Sequence, residues 1–445
     1  MIDRRAAIPF VTGGGLIISL LLSSLGVGFG GSGLVVQCWF TLFFVGVVGF
    51  IFKMFDWRGT VFWFLFFSVF QWLAIFVPSS FNVVPSYRFF DSDSQAEFYF
   101  SYYLFLFSIG FLFFSLGFSS ARNFTLAARG VELKRFPVVI CYLPFIICLF
   151  SFYRIFSEIG GAGIAFSVMG KANEYLANVS AWFSMIKVGY ISCCMLLLNK
   201  KYVACVLIFV VVTFFMAAIG ERGALLFSGL IPMILCYRLK FGRVKLKWML
   251  SLCLVFFLYY IVIGAIRNVQ SNSSESSFGA EDLIEVVTKT EHHINAAAAI
   301  KLADTQGYYF GETLYNLIFV PIPRVFWKEK PVTAESVVVG MALKNTNKTV
   351  GSGLPPGVFA YYYLQFGVLG VVALSFLTGF FCRTCENYFL KVRTLPNILF
   401  YTQVQSLFVY ILSTEVQVKI IVNIVVVLLI LVFSCPLVRV RLLKF

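Results

Sequence analysis

Apolar residues run along this chain in blocks of about twenty, parted by short polar breaks. A bilayer core about 30 Å thick needs roughly 17–25 apolar residues in a helix. By that measure the chain holds about twelve spans. Their cores lie near 8–28, 34–54, 60–77, 98–118, 137–156, 180–198, 202–219, 223–237, 247–265, 357–379, 396–412 and 418–436. One long polar interruption, 266–355, breaks the series near the carboxyl-terminal end. The pattern predicts an all-α integral membrane protein with one large, partly helical loop. It divides into a bundle of about nine helices over 1–265, a loop subdomain over 266–355, and about three helices over 356–445.

Composition agrees with that class. Hydrophobic residues make up 60% of the 445 and charged residues 12%, with a mean hydropathy of +0.90. Soluble domains carry about 25% charge, so a soluble globular chain is excluded. The basic start MIDRR before the run 8–27 has the flank of a signal peptide. GVGFGGSG then leads at once into another span, so the run reads as a first membrane helix.

Charge orders the loops. Arg4, Arg5, Lys53, Arg58, Arg122, Arg129, Lys134 and Arg135 fall on one side. Lys200, Lys201, Arg238, Lys240, Arg243, Lys245, Lys247, Arg383, Lys391, Arg393, Arg439, Arg441 and Lys444 join them. Together they are 21 of the 35 basic residues. Basic residues stay on the cytoplasmic side, which predicts cytoplasmic termini. The loops 79–97, 157–179 and 266–355 then lie outside. The net charge of +15 is spread in clusters between spans, which argues against nucleic acid. The loop 266–355 has eight basic and nine acidic residues, close to neutral. Its segments 280–302 and 311–319 carry helical signals, so the loop is expected to form a helical cap lying on the outer membrane surface.

Most of the eleven cysteines sit in apolar runs, as small hydrophobes do. Cys382 and Cys385 form CRTC, a spacing used in redox and zinc sites, but no second pair accompanies it.

Three arginines stand out on the outer side. Arg222 lies in GERGALL, Arg267 in GAIRN, and Arg324 in VPIPRVFWKEKP. Pro321 and Pro323 stiffen the last segment, Trp327 suits an interface, and Lys328 and Lys330 add charge beside Glu329. Guanidinium forks match phosphate oxygens. Snorkelling or simple loop folding would also account for these residues. The tract GSGLPPGVFAYYYLQFG follows. Gly351, Gly353 and Gly357 permit tight turns or close approach to a ligand. Tyr361, Tyr362 and Tyr363 suit either sugars or an interfacial belt. Gly367 and Gly370 suit close helix packing. His292 and His293 are the only histidines. Neighbours on a helix point different ways, so His292 is a candidate base rather than half of a metal pair. Glu291, Asp304 and Glu312 are acidic alternatives. No HExxH, Walker, Rossmann or GxSxG motif is present.

These segments together resemble the bacterial O-antigen or oligosaccharide repeat-unit polymerases of the Wzy type. The resemblance rests on GERGALL, GAIRN, IPRVFWKEKP and GSGLPPGVFAYYYLQFGVLG, most closely over residues 300–380. It implies a glycosyltransferase of the inner membrane, with the large loop in the periplasm. Such an enzyme joins repeat units carried on undecaprenyl diphosphate, and lipid diphosphate is the leaving group. It uses no cofactor, metal or nucleotide sugar. Its partners would be the lipid-linked units, inner-membrane lipids, and a chain-length regulator and flippase of the same pathway. The resemblance casts Arg222, Arg267 and Arg324 as diphosphate ligands or aids to its departure. Lys330 would assist, with Lys328 beside it. Tyr361, Tyr363 and Gly357 would shape the sugar pocket. VFAYYY lacks the acidic residue more commonly found before a tyrosine there. Two other readings share the span count or the substrate: a polysaccharide flippase or secondary transporter, and an O-antigen ligase.

Overall fold

The computed structural model describes residues 31–52, 90–121, 135–159, 182, 185–218, 225–242, 259, 292–316, 327, 356–391 and 394–413. Every regular element among them is helical. In order these are α1 (Gly31–Ile51), α2 (Asp93–Ser120), α3 (Val138–Ile159), α4 (Gly189–Leu198) and α5 (Tyr202–Ala218). A π-helical turn (Leu225–Leu230) leads into α6 (Ile231–Phe241), and α7 (His292–Gln306), α8 (Glu312–Asn316), α9 (Val358–Lys391) and α10 (Leu395–Ser413) follow. Among the described residues, three segments are long and apolar enough to cross a membrane: Ser94–Ser120, Val138–Ser157 and Val358–Phe389. Helix ends fall within a few residues of the spans expected at 34–54, 137–156, 202–219 and 396–412, because each is mostly apolar along its length. The chain forms two compact units, neither continuous in sequence.

The first unit comprises 1–124, 287–384 and 409–416. Its axis is α2. Ser92 caps this helix, its hydroxyl accepting the Gln95 amide at 3.3 Å. The Gln95 side chain accepts the Asp91 amide at 3.0 Å in return. The Ser92 hydroxyl thus satisfies an amide that a helix start leaves unbonded, while Gln95 holds the residue before the cap. The helix α1 packs on α2 through a buried polar clasp: Gln37 Nε2 donates to the Ser101 carbonyl at 2.9 Å, and Ser101 Oγ donates to Gln37 Oε1 at 2.6 Å.

The helix α9 doubles back on itself. Phe366 (φ −142°, ψ 20°) and Gly367 (φ 64°, ψ −151°) leave helical geometry. The Tyr362 and Thr378 hydroxyls nevertheless lie 2.5 Å apart, sixteen residues along the chain. A straight helix would separate those residues by about 24 Å, farther than a tyrosine reaches. The carbonyl of Tyr362 also lies where a β-carbon on Gly370 would stand. A short limb, 358–366, therefore reverses into a long limb that runs on from Val368. The single span expected at 357–379 is replaced by this hairpin. Hydropathy is continuous across the bend, so it left no mark in the apolar pattern. The short limb lies beside α2, with Phe359 against Phe107 (ring centroids 5.0 Å) and Gly110. The contact at Gly110 is about 24 Å along α2 from Ser94, far inside that helix. Gly117 and Gly379 let the long limb touch α2 backbone to backbone, facing the carbonyls of Phe376 and Phe114 respectively. At the far end Arg383 sits 5.0 Å from the Phe118 ring.

The helix α7 packs on α2 as well. Asn295 and the run Ala296–Ile300 are all buried. A helix covered on every side is a core element, so this part of the expected surface cap lies inside the unit. Small alanine side chains permit that close packing.

The second unit comprises 125–286, 385–408 and 417–445. Here α4 is the centre, contacted by α3, α5 and α6. Gly189 brings α4 against Val212 and Cys148. Tyr190 is fully buried, and its hydroxyl lies 3.2 Å from that of Thr213. Asn199 ties the approach to α3: its Oδ1 accepts the Phe136 amide at 3.0 Å, and its Nδ2 donates to the Phe136 carbonyl at 2.9 Å. Lys200, at φ 62°, makes the left-handed turn from α4 into α5. The Lys201 amide closes that turn on the Leu196 carbonyl at 2.9 Å. The helix α10 joins this unit through Thr402, whose hydroxyl is 3.5 Å from Cys236 Sγ, and through Ser406 Oγ, which donates to the Phe227 carbonyl.

Candidate functional site

The polar centre of the first unit lies where the hairpin tip meets α7 and the start of α2. Two local features build it. Gly307 (φ 92°) ends α7, its amide bonded to the Ala303 carbonyl at 3.0 Å. Glycine suits such a helix end because it lacks a β-carbon. The chain then turns against the hairpin. The amides of Tyr309 and Phe310 donate to the carbonyls of Leu364 and Gln365 at 3.0 and 2.9 Å. The Gly311 amide donates to the buried Gln365 side chain at 3.1 Å. Two of these bonds satisfy carbonyls that the end of the short limb would leave open, and the third fixes the Gln365 side chain.

Asp304 stands at the middle of this cluster. The Tyr363 hydroxyl donates to its Oδ1 at 2.8 Å. The Tyr363 ring packs edge-on against Tyr102 (5.6 Å) and Tyr308 (5.8 Å). Asp304 is exposed, whereas Tyr363 is buried. Tyr308 is partly open and Phe310 is 74% exposed, the two rings meeting edge-on at 6.0 Å. Phe310 holds φ 46°, an uncommon backbone for an aromatic residue. The result is a carboxylate open on one side and walled by tyrosine rings on the other. Aromatic faces and a carboxylate acceptor are the groups that hold a sugar ring.

An ion pair borders the cluster. Lys301, one turn before Asp304, donates to Asp91 Oδ2 at 2.9 Å and covers the Phe90 ring at 5.7 Å. The hydrogen bond and charge of Lys301 hold the Asp91 carboxyl below its ordinary value. Burial, and then the charge of Glu312, push the Tyr309 phenol up. This pair joins residues from 79–97 and 266–355, two loops that the charge pattern assigns to one side.

The expected site residues divide sharply. Tyr363 lies in the cluster. Gly357 (φ 73°) makes the turn into the short limb, and a β-carbon there would sit 3.8 Å from the Tyr103 hydroxyl. Tyr361 is buried, its ring centroid 6.1 Å from that of Tyr362, and all three tyrosines of the triplet are buried rather than set out as an interfacial belt. His292 is the first residue of α7, and its side chain lies outside the described residues. Arg222, Arg267, Arg324, Lys328 and Lys330 also lie outside them. Cys382 and Cys385 both fall within α9. The sequence reading passed over Tyr102 and Tyr308. Their signal was the tract FYFSYY just inside α2 and the tract QGYYFG just beyond α7. No protein-family model, curated protein or solved structure matches the chain.

Proposed function

We propose that the chain polymerises oligosaccharide repeat units carried on undecaprenyl diphosphate, at the periplasmic face of a bacterial inner membrane. In this reading the chain has about twelve spans, cytoplasmic ends, and the loop 266–355 in the periplasm. The growing chain leaves its lipid diphosphate and passes to the incoming unit. Arg222, Arg267 and Arg324 bind the diphosphate and stabilise the charge that develops as it departs. Lys328 and Lys330 add to that field. The observation that carries the reading is the open Asp304 carboxylate among the Tyr102, Tyr308 and Tyr363 rings. It offers sugar-binding chemistry at one end of helices long enough to cross a membrane. Holding two lipid-linked substrates side by side supplies much of the rate through orientation. The test is polymerisation by purified protein given undecaprenyl-diphosphate-linked units, beside Arg222→Ala and Arg324→Ala. Long polymer from the wild type and short or no polymer from both variants is expected. Normal polymer from both variants sinks the arginine assignment.

One observation favours a second reading, a flippase or other secondary transporter. Interrupted helices that turn back within the bundle are a feature of transporters, and α9 is one. Gene deletion separates the two: loss of a polymerase leaves single repeat units on the surface, and loss of a flippase leaves none.

A further inference from the structure

We propose that Asp304 binds and deprotonates the acceptor sugar hydroxyl, and that Tyr363 positions it. The inference rests on the polymerase reading above and supplies the base that reading lacks. Asp304 is fixed from one side only. Its Oδ1 accepts the Tyr363 hydroxyl at 2.8 Å, and no other hydrogen bond reaches the carboxylate among the described residues. Oδ2 is therefore an open acceptor on an exposed residue. Lys301, the cation on the preceding turn of α7, is bonded to Asp91. Among the described residues, the carboxylate is bonded to a tyrosine hydroxyl and to no cation.

Tyr363 is itself held. Its ring lies between Tyr102 and Tyr308, and its backbone belongs to the short limb whose end is closed by the amides of Tyr309 and Phe310. A base aimed by a buried partner keeps its angle toward the substrate, which is what general base catalysis needs. Tyr308, which packs on Tyr363, and Phe310, which packs on Tyr308, are both exposed and leave ring surface at the edge of the cluster for a sugar face. Phe310 keeps that place despite its left-handed backbone, a cost borne where a neighbouring bond holds it.

The step balances. The acceptor hydroxyl oxygen attacks the anomeric carbon of the donor chain, and its O–H bond breaks as the proton passes to Asp304 Oδ2. The bond from that carbon to the diphosphate oxygen breaks, and its electron pair leaves on the diphosphate. Nothing is oxidised or reduced. Asp304 then returns its proton to water on its exposed side.

The experiment uses full-length protein in lipid nanodiscs, the lipid-linked oligosaccharides extracted from the native membrane, and a range of acceptor concentrations. Asp304→Asn is expected to lower kcat about 100-fold or more, in the range of general base catalysis, with KM for the acceptor changed far less. Asp304→Ala should regain turnover on addition of formate, an external base. Tyr363→Phe keeps the ring and removes the bond, and should lower kcat while thermal unfolding stays close to wild type. Wild-type kcat in Asp304→Asn overturns the inference. So does a rise in KM alone, or no response of Asp304→Ala to formate. A wild-type protein that makes no polymer removes the polymerase reading and this assignment with it. An inactive Asp304→Asn beside an active wild type leaves that reading standing.

Discussion

The hydroxyls of Tyr362 and Thr378 meet at 2.5 Å across sixteen residues of what would otherwise be one continuous helix. This contact defines α9 as two limbs. It can be tested without any knowledge of substrate. With native cysteines replaced, Tyr362→Cys and Thr378→Cys should be joined by a short homobifunctional reagent in membranes. In a straight helix the two positions are about 24 Å apart, and such a reagent would leave the pair unlinked. An intramolecular cross-link, read by protection from a later thiol label, is the expected result.

The bend itself depends on one residue. Gly367 holds φ 64° and ψ −151°, a region essentially reserved for glycine. A β-carbon there would stand 3.1 Å from the Tyr308 ring and hydroxyl. Gly367→Ala should lower stability by about 1–3 kcal/mol, seen as an earlier unfolding midpoint in detergent. It should also displace Tyr308 from Tyr363, so activity should fall further than stability explains. An unchanged midpoint would mean that the backbone there is not strained.

Glycines elsewhere in the first unit set helix spacing. At Gly117 and Gly379 a β-carbon would fall onto the carbonyls of Phe376 and Phe114. Backbone cannot move aside as a side-chain tip can. Gly117→Ala and Gly379→Ala should each cost about 1–3 kcal/mol, as overpacking does. Gly46 in α1 has nothing within 4 Å of the same position. Gly46→Ala should be neutral or slightly stabilising, since alanine favours the helix by about 1 kcal/mol. Melting curves of the three variants side by side decide the matter.

Acid and base should loosen the site from opposite directions. Lys301 lowers the Asp91 carboxyl in the folded protein. Its contribution is therefore present above the unfolded value, about 3.9, and is lost as pH falls through the lower folded value. Tyr309 is raised, so its contribution is present below the unfolded value, about 10, and is lost as pH climbs through the higher folded one. Unfolding midpoints should decline at both extremes. Asp91→Asn should flatten the acid decline alone, and Tyr309→Phe the basic one alone. The Asp91 pair is exposed, so added salt should also weaken it.

In the second unit, the Asn199 side chain makes two bonds to the backbone of Phe136 and a third, from Nδ2, to Cys141 Sγ at 3.2 Å. Asn199→Ala removes them together and leaves a part-buried amide and carbonyl open. A loss of about 1–3 kcal/mol is expected. Faster exchange of the Phe136 amide with deuterium would locate the damage, and protection equal to wild type would count against the tie.

Much of this architecture could be read from hydropathy. The stretches that became α1, α3, α5 and α10 are mostly apolar, and their length located them, although α10 also carries the buried polar residues Thr402, Gln403, Gln405 and Ser406. The hairpin could not be found in this way, because LQFGVLG is as apolar as a straight span. Gly367 was visible but read as a packing residue; its true signature is a dihedral, which composition does not carry. The alanines of α7 announced a helix without revealing what would surround it. Asp304 and Tyr363 were each visible as candidates. Their bond spans 59 residues and two elements, a pairing that no local sequence pattern announces.

The bonds from Tyr309 and Phe310 to the end of the short limb also govern how the chain can change length. One residue added within 357–379 would turn everything after it by about 100° around its helix. Thr378 would leave Tyr362, and Gly379 would no longer face Phe114. An insertion within 304–311 would slide Tyr309 and Phe310 off the carbonyls they close. Descendants of this chain can exchange side chains around Asp304 by single substitutions. They must keep the count of residues in both segments, so divergence here should appear as replacements without gaps.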